Sequence, residues 1–202
     1  AGLYAADDYY TDADSNAYSS PTFLGNHDMG RVAMMLKGSS ATDAELMTRV
    51  RLANTLMYLT RGQPVVYYGD EQGFIGAGGD KDARQDMFAT RTAQYATEPV
   101  LGAPSGSRDR FDVRHPLYQQ IAGLAELRSK HPALADGAQL PRFAAEGAGV
   151  LAFSRIDSRE DRPREYLVAI NNSTAAATVS FAIGTSNATL RPLYGARSEI
   201  RS

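Results

Sequence analysis

Residues 62–71, with the sequence Gly-Gln-Pro-Val-Val-Tyr-Tyr-Gly-Asp-Glu, decide the fold class of this chain. Their middle, from Pro64 to Tyr68, is an apolar run of β-branched and aromatic side chains, which predicts a strand. Because apolar and polar residues do not alternate in the run, we expect both faces of the strand to be buried, as in parallel sheets. The polar residues Asp70 and Glu71 mark the end of the strand.

A helix is predicted immediately before this strand. Thr42 and Glu45 have the T-x-x-E spacing of a capping box at a helix N-terminus. Apolar residues then recur at helical spacing, at Leu46, Val50, Ala53 and Met57. Gly62 and Pro64 end the helical pattern.

A second strand and a second helix complete an α/β pattern. Residues 22–28 predict a short buried strand upstream of the first helix, and Pro116 opens a helix that ends near Lys130. Residues 70–114 form a long irregular stretch between the second strand and this helix. Loops of this length in compact domains usually have a functional role.

The pattern changes in the last third of the chain, where strands follow one another without helices. Residues 149–156 and 165–170 predict strands, and residues 178–183 alternate polar and apolar side chains like a half-exposed antiparallel strand. We therefore expect an α/β piece over residues 1–135 and an all-β domain over residues 136–202.

The tripeptide Asn26-His27-Asp28 lies at the carboxyl end of the first predicted strand. In α/β barrels this end of the strands builds the active site, so one interpretation is a carboxylate and an imidazole facing a sugar-binding cleft. The alternative is that Asp28 caps the helix that follows it, and spacing alone favours this capping role. If the barrel interpretation is right, the loop of residues 70–114 should lie over the same strand ends as Asp28.

Three segments together resemble the α-amylase family of glycoside hydrolases. Residues 23–28, with Arg31, are similar to the F-x-x-N-H-D signature that closes the seventh barrel strand of that family. Residues 62–71 resemble its eighth strand, and residues 80–88 resemble its D…R-x-x-M segment. The three matches occur in the family's order, and the resemblance extends over about residues 1–195.

The resemblance implies a role for each residue near the first strand end. Asp28 would be the third carboxylate of the family, which binds sugar hydroxyls beside the reacting carbon. His27 would donate to hydroxyls of the same sugar, and Asn26 would hold the turn or the neighbouring side chains. Arg31 would bind sugar, or it would pair with Asp28 or with Asp70.

The resemblance also implies that the two other catalytic carboxylates lie elsewhere. A retaining glycosidase uses a nucleophile and an acid/base about 5 Å apart. In the family these residues end the fourth and fifth strands, which would lie upstream of Ala1. Glu71 matches a residue that has a structural, hydrogen-bonding role in the family. The segment alone is therefore expected to be inactive and to depend on a missing N-terminal barrel segment.

The predicted fold is the end of a TIM-type α/β barrel, with strands seven and eight and their helices, followed by an antiparallel β-sandwich domain. The predicted parent is a retaining hydrolase that acts on α-glucosidic bonds of starch-like glucans or maltooligosaccharides. A carbohydrate-binding fragment without chemistry is one alternative. An amylase-like scaffold protein that has lost its catalytic carboxylates is another. Bond specificity, and hydrolysis versus transfer, stay open.

Composition limits the partners of this chain. The formal net charge of −2 indicates neither nucleic acid nor an anionic membrane as a partner. There is no cysteine, so the segment has no disulfide and no thiolate chemistry. Ala1 does not open a signal peptide. The similarity of residues 80–88 to bacterial extracellular members nevertheless implies a secreted or periplasmic parent.

No metal or other cofactor is expected in this segment. Asp12, Asp14 and Asn16 have the spacing that opens a calcium loop, but Ala17 and Phe23 occupy the positions that need Gly and Glu. A solvated loop is the favoured interpretation, and the resemblance leaves calcium to the full-length parent.

Overall fold

The computed structural model describes residues 11–40, 42–158, 163–195 and 200–201. Its contacts divide the chain into two compact units. The central unit comprises Pro21–Tyr58 and Gln63–Glu126, and the C-terminal unit comprises Ala1–Ser20, Leu59–Gly62 and Leu127–Ser202. Residues 127–135 fall in the C-terminal unit, and the domain boundary at 135/136 stays a prediction.

The central unit contains a parallel pair of short strands, β1 (Pro21–Phe23) and β2 (Gln63–Val65). Parallel pairing agrees with the sequence, but both strands are shorter than predicted. The expectation that β2 is buried on both faces is wrong, because the side of Val65 is open and this residue is 48% exposed. Its neighbour on β1, Phe23, is 46% exposed. Within the described residues these strands pair only with each other, so no third strand covers them.

Two long helices form the core of the central unit. The first short helix is α1 (Val32–Lys37), and the two long ones are α2 (Asp43–Leu59) and α4 (Pro116–Lys130). At the start of α2 the hydroxyl of Thr42 accepts from the backbone N–H of Glu45 at 3.1 Å, as the capping motif predicts. The predicted apolar stripe of α2 is buried. The core residues are Val32, Ala33, Leu46, Val50, Met57, Tyr58, Ile75, Leu101, Leu117 and Leu124.

The long loop after β2 contains short helical turns. They are 3₁₀ helices at Asp70–Gln72 and Asp80–Ala83, and the helix α3 at Ala93–Thr97. Gly69 has a φ of +88°, and a Cβ there would lie 2.1 Å from the ring of Phe74. A glycine is therefore required at this position, where the chain turns sharply out of the strand.

The C-terminal unit is built on a three-stranded antiparallel sheet. The short helix α5 (Pro132–Asp136) leads into β3 (Ala138–Ala144), which pairs with β4 (Val150–Asp157), which pairs with β5 (Arg164–Asn171). The predictions of β4 and β5 are confirmed. Neither α5 nor β3 was predicted, and a bulge between Pro141 and Phe143 interrupts the regular register of β3.

The predicted strand at residues 178–183 is wrong. This segment has no regular backbone pairing, although Val179, Phe181 and Ile183 are less exposed than the residues between them. The ring of Phe181 stacks on Phe143 at 6.3 Å between centroids. The segment therefore contacts the sheet through side chains and does not extend it.

The expected β-sandwich is not observed among the described residues. Beyond the three-stranded sheet, the described residues of the C-terminal unit form only β6 (Thr189–Leu190) and β7 (Ile200–Arg201), which pair with each other. Glu165 contributes to this departure, because its carboxylate accepts from the backbone N–H of Thr185 at 2.8 Å and of Gly184 at 3.2 Å. These amides are consequently not available to a strand partner.

A fully buried arginine holds the C-terminal unit together at the end of α2. Arg155 on β4 donates to the carbonyls of Leu59 and Leu134 at 3.1 Å each and of Gly137 at 2.9 Å. Burial, together with the nearby charge of Arg128, lowers the pKa of Arg155 to about 10. The three carbonyls lie at or near helix C-termini, where carbonyl groups have no partner within the helix.

Candidate active site

A tight turn follows β1 and carries Asn26, His27 and Asp28. The side-chain oxygen of Asn26 accepts from the backbone N–H of Asp28 at 2.8 Å and of Met29 at 2.9 Å. The backbone N–H of Asn26 donates to the carbonyl of Gly30 at 3.3 Å, which closes the turn. Asn26 thus holds the turn, one of the two roles that the sequence left open.

The carboxylate of Asp28 projects from this turn into solvent. Its side chain is 69% exposed, and one oxygen lies 3.2 Å from Nε2 of His27 and 3.7 Å from a guanidinium nitrogen of Arg84. His27 is also largely exposed, at 59%. Three polar groups therefore converge on one exposed spot at the carboxyl end of a parallel strand.

The structure excludes helix capping as the role of Asp28. The helix that follows the turn is α1, and its N-cap residue is Arg31, three positions later. Arg31 makes no side-chain capping hydrogen bond to α1. The capping interpretation, which spacing alone favoured, is wrong, and the Asp28 side chain has no structural task in this helix.

Arg31 has a different position from the one predicted for a substrate-binding residue. Its side chain has no exposed surface, and its guanidinium pairs with Asp70 at 2.8 Å. The same group donates to the carbonyls of Tyr68 at 2.7 Å and Ala83 at 3.1 Å, and to the side chain of Gln85 at 2.8 Å. A direct sugar contact for Arg31 is therefore wrong, and pairing with Asp70 is the observed alternative.

Aromatic rings complete the surroundings of Arg31. The guanidinium carbon lies 4.7 Å from the ring centre of Tyr67, 5.3 Å from Tyr68 and 5.0 Å from Phe74, within the range of cation–π attraction. Burial raises the pKa of Tyr67 to about 12. Burial also raises the pKa of Asp70 to about 6, although Arg31 opposes this shift.

The long loop lies against the turn, as predicted. The backbone N–H of Asp80 donates to the carbonyl of Asp28 at 3.1 Å, and a Cβ at Gly79 would lie 2.9 Å from that same carbonyl. Arg84 pairs with Asp80 at 2.6 Å, so it stabilises this part of the loop. The loop segment 79–84 and the Asp28 turn consequently share one surface of the central unit.

Glu71 and His115 have structural contacts. The carboxylate of Glu71 accepts from the backbone N–H of Gly69 at 2.8 Å, in agreement with its expected hydrogen-bonding role. His115 is buried, with Nε2 2.9 Å from the carbonyl of Leu101 and Nδ1 accepting from the backbone N–H of Leu117. Neither residue faces the Asp28 carboxylate.

The described part of the chain contains neither a grouped set of metal ligands nor a helix suited to span a membrane. There, no three His, Asp or Glu side chains are grouped to hold a metal ion. The Asp12 region forms a turn in which Asp12 and Ser15 exchange backbone hydrogen bonds, and Asn16 caps a 3₁₀ helix at Ala17–Ser19. None of the described helices combines the length and the apolar character of a membrane span.

Comparison with known proteins assigns the chain to a family. The sequence model described as "Alpha amylase, catalytic domain" matches residues 3–137. The chain belongs to the α-amylase family. This membership confirms the resemblance of the three motifs, and it places the Asp28 turn within the part of the chain that the family model covers.

Curated relatives support the same assignment. An α-amylase of Streptomyces lividans is 54% identical over the whole chain, which spans 22% of that protein. A cyclomaltodextrin glucanotransferase of Paenibacillus macerans is 30% identical over 77% of the chain, which corresponds to 17% of its own length. The chain thus spans about a fifth of the curated relatives that it matches.

Solved structures of the α-amylase family share the fold. An Anoxybacillus α-amylase matches 92% of the chain with a TM-score of 0.65 and 26% identity, over 34% of its own length. A cyclomaltodextrin glucanotransferase, CldA, matches 78% of the chain with a TM-score of 0.54 and 27% identity, over 25% of its own length.

Sequence reasoning missed the buried polar network beneath the site. Gln85 is 4% exposed and Glu98 is 9% exposed, and neither belongs to a periodic pattern. Gln85 has one signal in the sequence, which is its position directly after Arg84 in the segment 80–88 that resembles the family. Glu98 lies outside that segment. The burial of both side chains and the hydrogen bond between them depend on tertiary contacts, which the sequence does not show.

Proposed function

We propose that this chain is part of a retaining glycoside hydrolase that acts on α-glucosidic bonds of starch-like glucans. In this proposal β1 and β2 are the seventh and eighth strands of an eight-stranded α/β barrel, and Asp28 is the transition-state-stabilising carboxylate. The observation that carries the proposal is the exposed Asp28 carboxylate, held by the Asn26 turn at the carboxyl end of a parallel strand. Active sites of such barrels lie at this end of the strands.

The geometry suits a sugar-binding carboxylate. Glycoside hydrolysis passes through an oxocarbenium-like transition state, in which positive charge develops on the sugar ring. A fixed carboxylate next to that ring favours the transition state over the neutral ground state. His27, 3.2 Å from Asp28 and also largely exposed, would donate a hydrogen bond to a sugar hydroxyl beside it.

The remaining machinery is assigned to the rest of the parent protein. The proposal places the nucleophile and the acid/base outside this segment, so residues 1–202 expressed alone should not hydrolyse maltooligosaccharides. Hydrolysis by that sample would show that the catalytic carboxylates have been misplaced. The proposal also assigns no cofactor to this segment, leaves calcium to the parent, and places the parent outside the cytoplasm.

The test is the substitution Asp28→Asn in the full-length parent. The amide has nearly the same shape as the carboxylate but lacks its charge, so kcat on a maltooligosaccharide should fall by roughly 10²-fold or more. The thermal midpoint should stay close to that of the unmodified protein, because Asp28 is exposed and caps no helix.

Asp43→Asn is the matched control for this experiment. Asp43 is another exposed aspartate of the central unit, at the start of α2 and outside the Asp28 turn. Its amide variant should keep normal turnover. Near-normal turnover by Asp28→Asn as well would reduce Asp28 to a surface residue and favour a scaffold or binding role for the chain.

A further inference from the structure

Arg31 and Gln85 form a buried polar pair, and each lies close in the chain to an exposed charged residue, Asp28 or Arg84. Arg31 follows Asp28 by three positions, and Gln85 directly follows Arg84. Nε of Arg31 donates to the side-chain oxygen of Gln85 at 2.8 Å, and both side chains are buried. One buried hydrogen bond therefore links the segments that carry the two exposed groups.

Gln85 is fixed at both ends of its amide. Its oxygen accepts from Arg31, and its nitrogen donates to the carbonyl of Asp82 at 2.9 Å and to the carboxylate of Glu98 at 2.7 Å. Only an amide can accept from one partner and donate to two others in this way. Its orientation is therefore determined by the hydrogen bonds around it.

Arg31 is fixed equally well, by groups from other segments. It donates to the carbonyl of Tyr68 and pairs with Asp70, which together follow β2. It also donates to the carbonyl of Ala83, immediately before Arg84. The turn after β1, the chain after β2 and the loop segment at Arg84 are thus joined through one guanidinium.

We propose that Arg31 and Gln85 are positioning residues that set the placement of Asp28 relative to Arg84. They act through the backbone and make no contact with sugar, since both are buried. The inference rests on the proposed function of Asp28. Misplacement of a catalytic group by about 1 Å can cost on the order of 10²-fold in rate, so a positioning role should be measurable.

Gln85→Leu in the full-length parent is the variant that tests the inference. It removes the three hydrogen bonds of the amide and keeps a side chain of similar size. We expect kcat on a maltooligosaccharide to fall about 10-fold while KM changes less than about twofold, because the ground-state contacts to the sugar are not altered.

Gln94→Leu is the matched control. Gln94 is exposed, its amide nitrogen donates to the carboxylates of Asp82 and Glu98, and no hydrogen bond joins it directly to Arg31 or Gln85 in the described residues. The variant Gln94→Leu therefore loses two similar hydrogen bonds and leaves the hydrogen bond between Arg31 and Gln85 in place. Turnover by this variant should stay within about twofold of normal.

A double-mutant cycle with Asp28→Asn separates positioning from a general structural role. If Gln85 acts through Asp28, Gln85→Leu should lower kcat little further once Asp28 is already an amide. An equal loss of kcat in both backgrounds would overturn the inference, as would normal kcat for Gln85→Leu alone. Near-normal turnover by Asp28→Asn alone would instead overturn the proposed function.

A charge swap keeps the test decisive if Gln85→Leu does not fold. Gln85→Glu places a second carboxylate next to Glu98, and the additional change Glu98→Gln restores a donor opposite it. Glu98→Gln should therefore recover part of the kcat that Gln85→Glu loses. A swap that restores the thermal midpoint but leaves kcat low would contradict the positioning role.

Discussion

Each of the two compact units contains an arginine without exposed surface, and the two are satisfied in different ways. In the central unit Arg31 pairs with the carboxylate of Asp70 and lies among three aromatic rings. In the C-terminal unit Arg155 donates to the carbonyls of Leu59, Leu134 and Gly137. The first arginine has a full opposite charge, whereas the second has the partial charges of backbone groups.

This difference predicts that pH affects the interactions of the two arginines differently. A carboxylate partner can take up a proton, so the Arg31 pair can lose its opposite charge without any movement of the chain. The carbonyl groups that bind Arg155 do not titrate, so these three hydrogen bonds stay the same across the ordinary pH range. We therefore expect similar substitutions in the two units to differ in their pH dependence.

Arg31→Met should have the largest effect on stability. It leaves Asp70 buried without its opposite charge, and loss of one partner of a buried pair costs about 3–5 kcal/mol. Since the pKa of Asp70 is already raised to about 6, protonation relieves part of this cost in acid. Urea unfolding of the full-length protein should show a smaller loss at pH 5 than at pH 8. A pH-independent loss would remove the contrast with Arg155.

Arg155→Met should have the next largest effect. It leaves three buried carbonyls without a donor, and an unsatisfied buried polar group costs about 1–3 kcal/mol. With some relaxation we expect a total near 3 kcal/mol, equal at pH 5 and pH 8 in the same urea titrations. A clear pH dependence would mean that a titrating group, and not only carbonyls, compensates this charge.

Glu165 should give the C-terminal unit an acid-sensitive stability. Burial alone would raise the pKa of Glu165, but hydrogen bonds from Ser154, Gly184, Thr185 and Arg142 lower it to about 2. A carboxyl group whose pKa is lower in the folded state stabilises the fold at pH values above its ordinary pKa, which is near 4.5. This contribution is lost as the pH falls towards 2. Glu165→Gln should lower stability at pH 7 by about 2 kcal/mol and flatten the acid limb in urea titrations. An unchanged acid limb would contradict the assignment.

Asp70 should produce the smallest change of stability with pH, and this change should have the opposite sign to that of Glu165. Its pKa is raised from 3.8 to about 6, so its neutral form is favoured in the folded state. Its contribution is fully present below about pH 4 and is lost as pH rises through 6. Asp70→Asn should remove this fall in the free energy of unfolding between pH 4 and 6. If Asp70→Asn instead removed a rise in the free energy of unfolding between pH 4 and 6, the predicted direction of the Asp70 contribution would be wrong.

Local patterns in the sequence predicted the elements that depend on neighbouring residues. The stripe on α2 and its cap at Thr42 are local features, and both are found. The Asp28 turn was also found from sequence, because a strand end followed by polar residues is a local signal. Helix α5 and strand β3 were not predicted, since α5 has only five residues and Pro141 breaks the alternation of β3.

Tertiary contacts decided the features that the sequence did not predict. Pairing of Arg31 with Asp70 was one of the alternatives that the sequence left open, but nothing in the sequence indicated the hydrogen bond to Gln85 or the burial of the guanidinium. The alternation at residues 178–183 predicted a strand, but alternation reports only which side chains face the protein. Phe181 does face inward onto Phe143, while the backbone has no strand partner.

The five-residue turn after β1 is expected to evolve under three separate constraints. Asn26 is constrained by two backbone amides, and Gly30 by a φ of +88° and a Cβ position 2.8 Å from the carbonyl of Gly78. The imidazole of His27 lies 3.2 Å from the Asp28 carboxylate, and under the proposed function selection on His27 would act through its contact with sugar. Among descendants of this sequence, a change at position 27 with Asn26 and Gly30 retained would therefore, under the proposed function, alter substrate binding and leave the turn in place.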